Sequence, residues 1–484
     1  GATLPMARAA LETGEPRQRR VALQVLRTAG SQAASHLPAV LHVLATGPAG
    51  LRREALRTID AFGAGILPEL VRVCTEIDSA RARAATDVLP RLAADFPKFL
   101  GPLESLRQSL PRDRRVEMIR ILQSPRALAM AAVPLFRNAL ADPEGTVRAA
   151  AVRALVATQP TPDGDWHTLV FMLSDPDPDV ADELDRALAG RRATVPLGEA
   201  VRDGAGLLRE RALELLLASG SLDAAALPVL LEAHDGAAGP IRRQILTILR
   251  RMAPQSDEVK RRHAAALEEA SPELRREAAA YFAEWLGDLA LARAATGKAL
   301  ADPDAEVRAH AAVAYAQFGA EALPHLERLL AGTDPAGIDG ALQTAARLGA
   351  TGSPLVEQIQ ALGDSLPAEL RHQHLRTLVA LDADSERTLA RLRDILQGPD
   401  RELQETALDA LRAREQVGAG ITRILLGTVA VEEDDLRSKA MAALRRATAD
   451  SIPPLLLALA DDAPGIQRAA IGALAELRLR AVET

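Results

Sequence analysis

Residues 301–330 read ADPDAEVRAHAAVAYAQFGAEALPHLERLL and contain two helical patterns separated by a glycine. In the first pattern, Val307 is followed by apolar residues at 311, 315 and 318, which is the spacing of one face of an α-helix. The second pattern begins with Leu323 and Pro324. Proline is tolerated in the first turn of a helix because the N–H it lacks would have no helical partner there. The stretch therefore predicts a pair of helices, each with one apolar face.

The same pattern recurs along the chain. Residues 141–148 read ADPEGTVR and repeat the start of the pair. We define the position before the recurring arginine as the anchor; successive anchors lie 28 to 34 residues apart. After a weaker first copy near Arg17, the anchors are Leu51, Ala80, Arg114, Val147, Val180, Leu208, Ile241, Leu274, Val307, Ile338, Leu370, Leu403, Leu436 and Ile466.

Such helix pairs can bury their apolar faces only by stacking on neighbouring pairs. We therefore predict an all-α fold, an α-solenoid of about 15 helix pairs that forms a single domain over residues 1–484. The composition agrees, because Phe, Trp and Tyr make up 2% of the chain while apolar residues reach 48%. A core of small aliphatic side chains suits layers that repeat with the same modest volume.

Two kinds of proline mark the helix starts. Asp-Pro pairs at 142, 175, 302 and 334 precede anchor helices, and we expect each aspartate to cap the helix that follows. The first turn of the other helix is predicted to hold a proline in several copies: Pro38, Pro68, Pro134, Pro228, Pro324, Pro354 and Pro453.

These repeats resemble a known family, the HEAT-like repeats of the short bacterial type named after phycobilisome (bilin) lyases. Their pattern is D-P-x-x-x-V-R-x-x-A-x-x-A-L, and the segments Asp142–Leu155 and Asp302–Tyr315 follow it closely. The resemblance implies that the arginine after the anchor pairs with the turn aspartate of the adjacent repeat, which is a structural role. That arginine is present at Arg52, Arg81, Arg115, Arg148, Arg209, Arg242, Arg275, Arg308, Arg371 and Arg437.

The residues that commonly carry chemistry form no convincing site. Cys74 is the only cysteine, so an intrachain disulfide is impossible, and we expect it in the core. His372 and His374 point in different directions on a helix, and we expect the nine histidines at the surface or at helix caps. We predict no catalytic residue, no metal site and no cofactor.

Two acidic runs are interpreted as structural. Asp175, Asp177 and Asp179 alternate as in a calcium loop, but prolines intervene and the required glycine and glutamate are missing, so a repeat turn is expected. The run 432–435, EEDD, is expected to complement the N-terminus of the next helix, with an acidic partner-binding patch as the alternative.

Aromatic residues concentrate in two adjacent copies. Phe282, Trp285, Tyr315 and Phe318 lie on the apolar stripe and are expected in the core. Tyr281 lies off the stripe, and we expect it to be exposed.

Charge is divided unequally along the chain. The net charge is -7, but residues 1–150 hold 21 Arg and Lys against 14 Asp and Glu, whereas residues 151–484 hold 37 against 51. Four arginines of this basic part and one just after it lie off the apolar stripe and are the candidate partner-binding residues, with an ordinary solvated surface as the alternative. They are Arg53, Arg57, Arg83, Arg120 and Arg153.

The sequence favours a non-enzymatic scaffold or adaptor that binds protein partners, with an acidic partner surface as the target. Two alternatives remain, an enzyme-maturation or lyase-type factor related to the bilin lyases, and a DNA-binding HEAT-like solenoid. Nucleic acid is the less favoured partner because the overall charge is negative. We expect no membrane insertion. The compartment, with the cytoplasm slightly favoured, and the oligomeric state stay open.

Overall fold

The computed structural model describes residues 3–76, 79–124, 126–158, 163–188, 193–284, 289–429 and 434–483. These residues form α-helices joined by 3-10 segments and short loops, and the prediction of an all-α fold is confirmed. The chain divides into two compact units, Gly1–Gly236 and Ala237–Thr484. That residues 1–484 form one continuous domain stays a prediction.

The first unit contains fifteen α-helices in its described part. They are α1 (Thr3–Thr13), α2 (Pro16–Ala29), α3 (Leu37–Thr46), α4 (Ala49–Phe62), α5 (Leu67–Cys74), α6 (Ala80–Val88), α7 (Leu100–Ser109), α8 (Arg112–Leu122), α9 (Arg126–Ala139), α10 (Gly145–Ala157), α11 (Asp163–Phe171), α12 (Pro178–Leu188), α13 (Thr194–Asp203), α14 (Leu207–Ala218) and α15 (Leu227–Gly236).

The second unit likewise contains fifteen α-helices within the ranges given above. They are α16 (Gly239–Met252), α17 (Asp257–Ala266), α18 (Pro272–Glu284), α19 (Leu289–Ala299), α20 (Ala305–Ala316), α21 (Leu323–Leu330), α22 (Pro335–Leu348), α23 (Val356–Leu362), α24 (Ala368–Asp382), α25 (Glu386–Gln397), α26 (Arg401–Ala413), α27 (Ala419–Val429), α28 (Asp434–Leu444), α29 (Ile452–Ala458) and α30 (Pro464–Glu483).

Short 3-10 segments lead into several of these helices or end them. They span Gly30–His36, Ala64–Ile66, Leu89–Phe99, Met172–Ser174, Ala224–Ala226, Gly319–Ala322, Gly349–Leu355, Gly363–Ser365 and Ala449–Ser451.

The predicted anchors all lie in the even-numbered helices, which we call the anchor helices. In the second unit, each anchor helix from α16 to α28 contacts the next one, and each from α18 to α28 also packs on the helix that precedes it. This repeated stacking of helix pairs is the arrangement of an α-solenoid, as predicted. In the first unit the order changes at α6, which packs on α3 and α5.

The pair formed by α20 and α21 shows how the sequence pattern produces the packing. Val307, Ala311 and Tyr315 are buried along one face of α20, as the stripe predicts. The turn after α20 passes through Gly319 at φ +59°, a conformation that residues with a side chain rarely adopt. Pro324 lies in the first turn of α21, where the missing N–H is harmless.

Two of the predicted first-turn prolines lie elsewhere. Pro134 is inside α9, because this helix already begins at Arg126. Pro354 lies within the 3-10 segment Gly349–Leu355, and α23 begins only after that segment.

The ladder of arginines implied by the family resemblance is present in parts of both units. Arg148 donates from Nε and Nη2 to Asp175 at 2.7 Å and 2.7 Å. Arg275 donates likewise to Asp302 at 2.7 Å and 3.1 Å. Each acceptor stands five residues before the next anchor, and we call this place the turn position. The arginine therefore ties one anchor helix to the turn that begins the next.

A ladder arginine also binds the turn before its own helix, through a second edge of its guanidinium group. Nη1 of Arg308 donates to the carbonyl oxygens of Asp302 and Pro303 at 2.8 Å and 3.0 Å. Nε of Arg308 reaches Asp339 at 2.7 Å in α22, since the turn position there is Thr333.

The turn aspartates cap helices less directly than expected. Oδ1 of Asp302 accepts from the backbone N–H of Asp304 at 2.9 Å, and Asp304 is the residue that caps α20. The expectation of direct capping is correct only at Asp334, which accepts from the N–H groups of Ala336 and Gly337. The physical reason is position, because Asp302 stands two residues before Asp304, the N-cap of α20, whereas Asp334 is itself the N-cap of α22.

Two expectations about aromatic and histidine side chains are wrong. Tyr281 is fully buried, because its ring stacks on His263 of α17 at a centroid distance of 4.0 Å. Its hydroxyl donates to the carbonyl oxygen of Pro254 at 2.6 Å. His263 and His374 are buried and not at the surface. Phe282 and Tyr315 are buried as expected, and Trp285 lies outside the described residues.

Burial also governs the single thiol. Cys74, at the end of α5, is 3% exposed, and the expectation of a core position is confirmed. Burial raises the pKa of the Cys74 thiol to about 12, so that it is protonated at neutral pH.

None of the helices in the described ranges is both long and apolar enough to cross a lipid bilayer.

Candidate binding surface

The five arginines singled out by the sequence fall into three groups. Arg53 and Arg57 lie one turn apart on α4, and both are exposed. Arg57 donates from Nη1 to Glu54 at 2.8 Å, and Glu54 also accepts from Arg27 of α2 at 3.1 Å. Arg53 makes no ion pair with any residue that the structure describes. Of this pair, Arg53 is therefore the cation with an open charge.

Arg83 and Arg120 line one cleft between α6 and α8, with a volume of about 830 Å³. Helix α6, which forms one wall of this cleft, packs on α3. Arg120 donates from Nε to Glu117 at 2.7 Å, and this hydrogen bond raises the pKa of Arg120. Arg83 is exposed and forms no ion pair within the described part of the chain. Two predicted residues are thus brought together, and one of them is available to a partner.

Arg153 lies on α10, in the same repeat position that Arg120 occupies on the contacting helix α8. It donates from Nη2 to Glu183 of α12 at 2.7 Å, and Glu183 also accepts from Arg186 at 2.6 Å. The charge of Arg153 is therefore partly neutralised by a neighbouring repeat.

Other arginines of the first unit are held in buried ion pairs. Arg107 is 6% exposed and donates to both Glu104 and Asp142. Burial alone would raise the pKa of Glu104, but the hydrogen bond and charge of Arg107 outweigh it and hold this pKa below its usual value. Arg115, the ladder arginine of α8, lies 3.3 Å from Asp142, the turn-position residue of the next repeat. These arginines serve the packing of repeats and are not open to a partner.

The acidic motif at 175–179 is a repeat turn, as expected. Oδ1 of Asp175 accepts from the N–H of Asp177 at 2.9 Å, and Oδ1 of Asp177 accepts from the N–H of Asp179 at 3.0 Å. Burial would raise the pKa of Asp175, but Arg148 more than offsets it, so the pKa is lowered. Across the described ranges, no group of three or more His, Cys, Asp or Glu side chains is placed to hold a metal ion.

The second acidic run is only partly described, because Glu432 and Glu433 lie outside the described residues. Asp434 and Asp435 form the first turn of α28, where carboxylates complement the helix dipole. Asp434 accepts from Arg437 of the same helix at 2.7 Å.

A further set of arginines, which the charge count does not reveal, lines a cleft in the second unit. Arg371, Arg387 and Arg391 surround a volume of about 800 Å³ formed by α23 to α26. One of them is visible in the repeat alignment: Arg371 is a ladder arginine, but the turn position of the next repeat is Gly398.

No protein-family model matches the chain, and no curated protein matches its sequence. The crystal structure of Kap121p is similar at 15% identity over 99% of this chain and 64% of that chain, with a TM-score of 0.43. Importin beta is similar at 14% identity over 98% and 77% of the two chains, with a TM-score of 0.39. A homology model of the AP-3 complex gives 13% identity over 97% and 95%, with a TM-score of 0.46. The chain thus spans just under two thirds of the Kap121p chain.

Proposed function

We propose that this HEAT-like repeat protein is a non-enzymatic scaffold that binds a protein partner with an acidic surface through the arginines of residues 1–150. The cleft between α6 and α8 carries the proposal, because it presents the unpaired Arg83 beside Arg120 on an accessible surface. Of the three carboxylates that also line it, Glu117 pairs with Arg120 and Glu76 pairs with Arg81, which leaves Asp87. Arg53 on α4 adds a second open cation in the same basic part of the chain. Guanidinium groups bind carboxylates through charge-assisted hydrogen bonds, so an acidic protein surface suits these positions.

The proposal separates arginines that hold the fold from arginines that can meet a partner. Arg107, Arg115 and Arg148 are at least four-fifths buried and pair with carboxylates of the chain. Arg53 and Arg83 are exposed and keep their donors for an external acceptor. Replacing the first group is expected to change stability, and replacing the second group is expected to change binding.

Affinity capture from the native organism, followed by mass spectrometry, tests the function directly. The wild-type chain is compared with the double variant Arg53→Glu/Arg83→Glu. The matched control is Arg243→Glu/Arg423→Glu, which makes the same change in net charge at exposed arginines of the second unit that lack an ion pair with described residues. A partner captured by the wild type and the control but depleted with the first variant supports the proposal.

Three other results would contradict it. A partner captured equally by all three proteins would place binding away from the basic part. A visible chromophore that co-purifies with the chain would instead favour the lyase or maturation alternative of the bilin-lyase type, and capture of DNA that depends on Arg53 and Arg83 would favour the nucleic-acid alternative.

A further inference from the structure

The turn position carries no acid in several repeats. At Thr333, Asp339 takes over the pairing with Arg308, but at Gly398 no described carboxylate takes over the pairing with the preceding ladder arginine, Arg371. In five repeats the side chain after the anchor donates to the carbonyl of the turn-position residue before it, which shows that these residues are structurally equivalent. The turn-position residues are Asp142, Glu269, Asp302, Gly398 and Asp461. Four of the five carry a carboxylate, and Gly398 alone carries none.

The missing acid leaves Arg371 without its expected partner. At the equivalent rungs, Arg242 donates to Glu269 at 2.8 Å and Arg275 donates to Asp302 at 2.7 Å. Arg371 is exposed and has neither an ion pair nor a side-chain hydrogen bond within the described ranges. A guanidinium that elsewhere in this fold binds a carboxylate therefore faces a cleft.

Two further arginines, both on α25, line the same cleft as Arg371. Arg391 makes no ion pair among the residues described, and Arg387 makes only a long hydrogen bond of 3.3 Å to Gln360. A Cβ atom on Gly363 would lie 3.0 Å from Nη1 of Arg391, so the glycine leaves room for this guanidinium.

The other lining residues favour an organic acid over a simple salt ion. Asp394 and Asp400 also line the cleft, but Oδ1 of Asp400 is already used, since it accepts from the N–H of Leu403 at 3.1 Å to cap α26. Leu375 and Ile395 contribute apolar surface beside the three guanidinium groups. The local charge is positive although residues 151–484 are acidic overall.

We propose that this cleft binds a carboxylate-bearing segment of a partner protein, whose Asp or Glu side chain takes the place of the missing turn acid and pairs with Arg371. Arg391 and Arg387 pair with neighbouring carboxylates of the same segment, and an apolar side chain of the segment contacts Leu375 and Ile395. The inference rests on the proposed protein-binding function. It adds a second contact with the partner, in the second unit, although residues 151–484 are acidic overall.

The probe is a fluorescein-labelled peptide of six glutamates between two leucines, and the reference peptide has glutamines in place of the glutamates. Binding to the full chain is measured by fluorescence anisotropy at low salt. The glutamate peptide is expected to bind at least about tenfold more tightly than the glutamine peptide, because charge-assisted pairs are stronger than neutral hydrogen bonds. Equal affinity for the two peptides overturns the proposal.

Substitutions then locate the site. Arg371→Gln and Arg391→Gln are each expected to weaken glutamate-peptide binding about fivefold or more. The control is Arg393→Gln, which removes the same charge from α25 at an arginine that lines a different groove, and less than a twofold change is expected. If Arg371→Gln behaves like Arg393→Gln, the proposal is wrong.

Restoring the acid provides an independent test. Gly398 has φ -77°, which aspartate can adopt, although a Cβ would lie 3.0 Å from the carbonyl oxygen of Asp394 and a small shift is needed. Gly398→Asp is expected to slow amide hydrogen exchange in α24 and α26 and to weaken peptide binding by competing for Arg371. Slower exchange with unchanged peptide affinity would show that Arg371 does not hold the peptide. Loss of peptide binding only in Arg53→Glu/Arg83→Glu would refute this site while supporting the proposed function.

Discussion

Removing one ladder arginine is expected to loosen two neighbouring repeats by a predictable amount. Arg275 makes two hydrogen bonds to Asp302 and two more, both of 2.9 Å, to the carbonyl oxygens of Glu269 and Ala270. The side chains of Arg275 and Asp302 are 12% and 7% exposed. Exposed ion pairs contribute up to about 1 kcal/mol, whereas breaking a fully buried pair costs about 3 to 5 kcal/mol. For Arg275→Ala we therefore expect a loss of about 2 to 3 kcal/mol.

Hydrogen exchange measured by mass spectrometry is the suitable assay, because long repeat arrays often unfold in parts. A loss of this size should speed exchange of the protected amides in α18 and α20 by about 30- to 150-fold. Arg371→Ala is the matched control, since it removes the same residue type from the same repeat position but breaks no ion pair among the described residues. Its expected effect is below about 0.5 kcal/mol. Equal effects of the two substitutions, or unchanged exchange in Arg275→Ala, would refute the structural role of the ladder.

Three further predictions concern single positions. Cys74 should react with a thiol reagent at pH 8 only as fast as the chain opens, because burial raises its pKa to about 12; rapid stoichiometric labelling of the native protein would contradict this. Gly340→Ala should destabilise α22 by more than about 2 kcal/mol in hydrogen exchange, because its Cβ would lie 2.0 Å from the carbonyl oxygen of Leu300; unchanged exchange would disprove the close approach. The hydrogen bond from Arg276 lowers the pKa of Asp304 to about 2, so the stability lost in Arg276→Gln should be constant above about pH 5 and shrink as the pH falls toward 2. Urea unfolding between pH 6 and 3 measures this, and a difference that grows with acidity would reverse the assignment.

The helices were predictable because their signal is local. The stripe of Val307, Ala311 and Tyr315 depends only on the spacing of residues within one helix, and these residues are buried as the stripe requires. The position of α6 against α3 depends on which distant surfaces fit, and no spacing in the sequence records it. Tyr281 was misjudged for the same reason, since its burial comes from the ring of His263 on a different helix.

The positive charge of the candidate surface could be predicted from the sequence, but the ion pairs of its arginines could be predicted only in part. Glu54 and Glu117 stand three residues before Arg57 and Arg120, a helical spacing that already signals an ion pair. Glu183 is 30 residues from Arg153, so only the stacking of repeats brings the two together. The absence of an acid at position 398 is visible in the aligned repeats. Its consequence for Arg371 follows only from the observed pairing of Arg242 with Glu269 and of Arg275 with Asp302.

The measurement that most directly tests the scaffold proposal is the rate of association between the full chain and its captured partner at several salt concentrations. Exposed charges steer encounter over a screening length of about 8 Å at physiological ionic strength. Arg53→Glu/Arg83→Glu is expected to slow association about five- to tenfold at low salt and to flatten its salt dependence, while Arg243→Glu/Arg423→Glu leaves both nearly unchanged. Salt-independent association, or an equal slowing by the two variants, would contradict binding through the basic part of the chain.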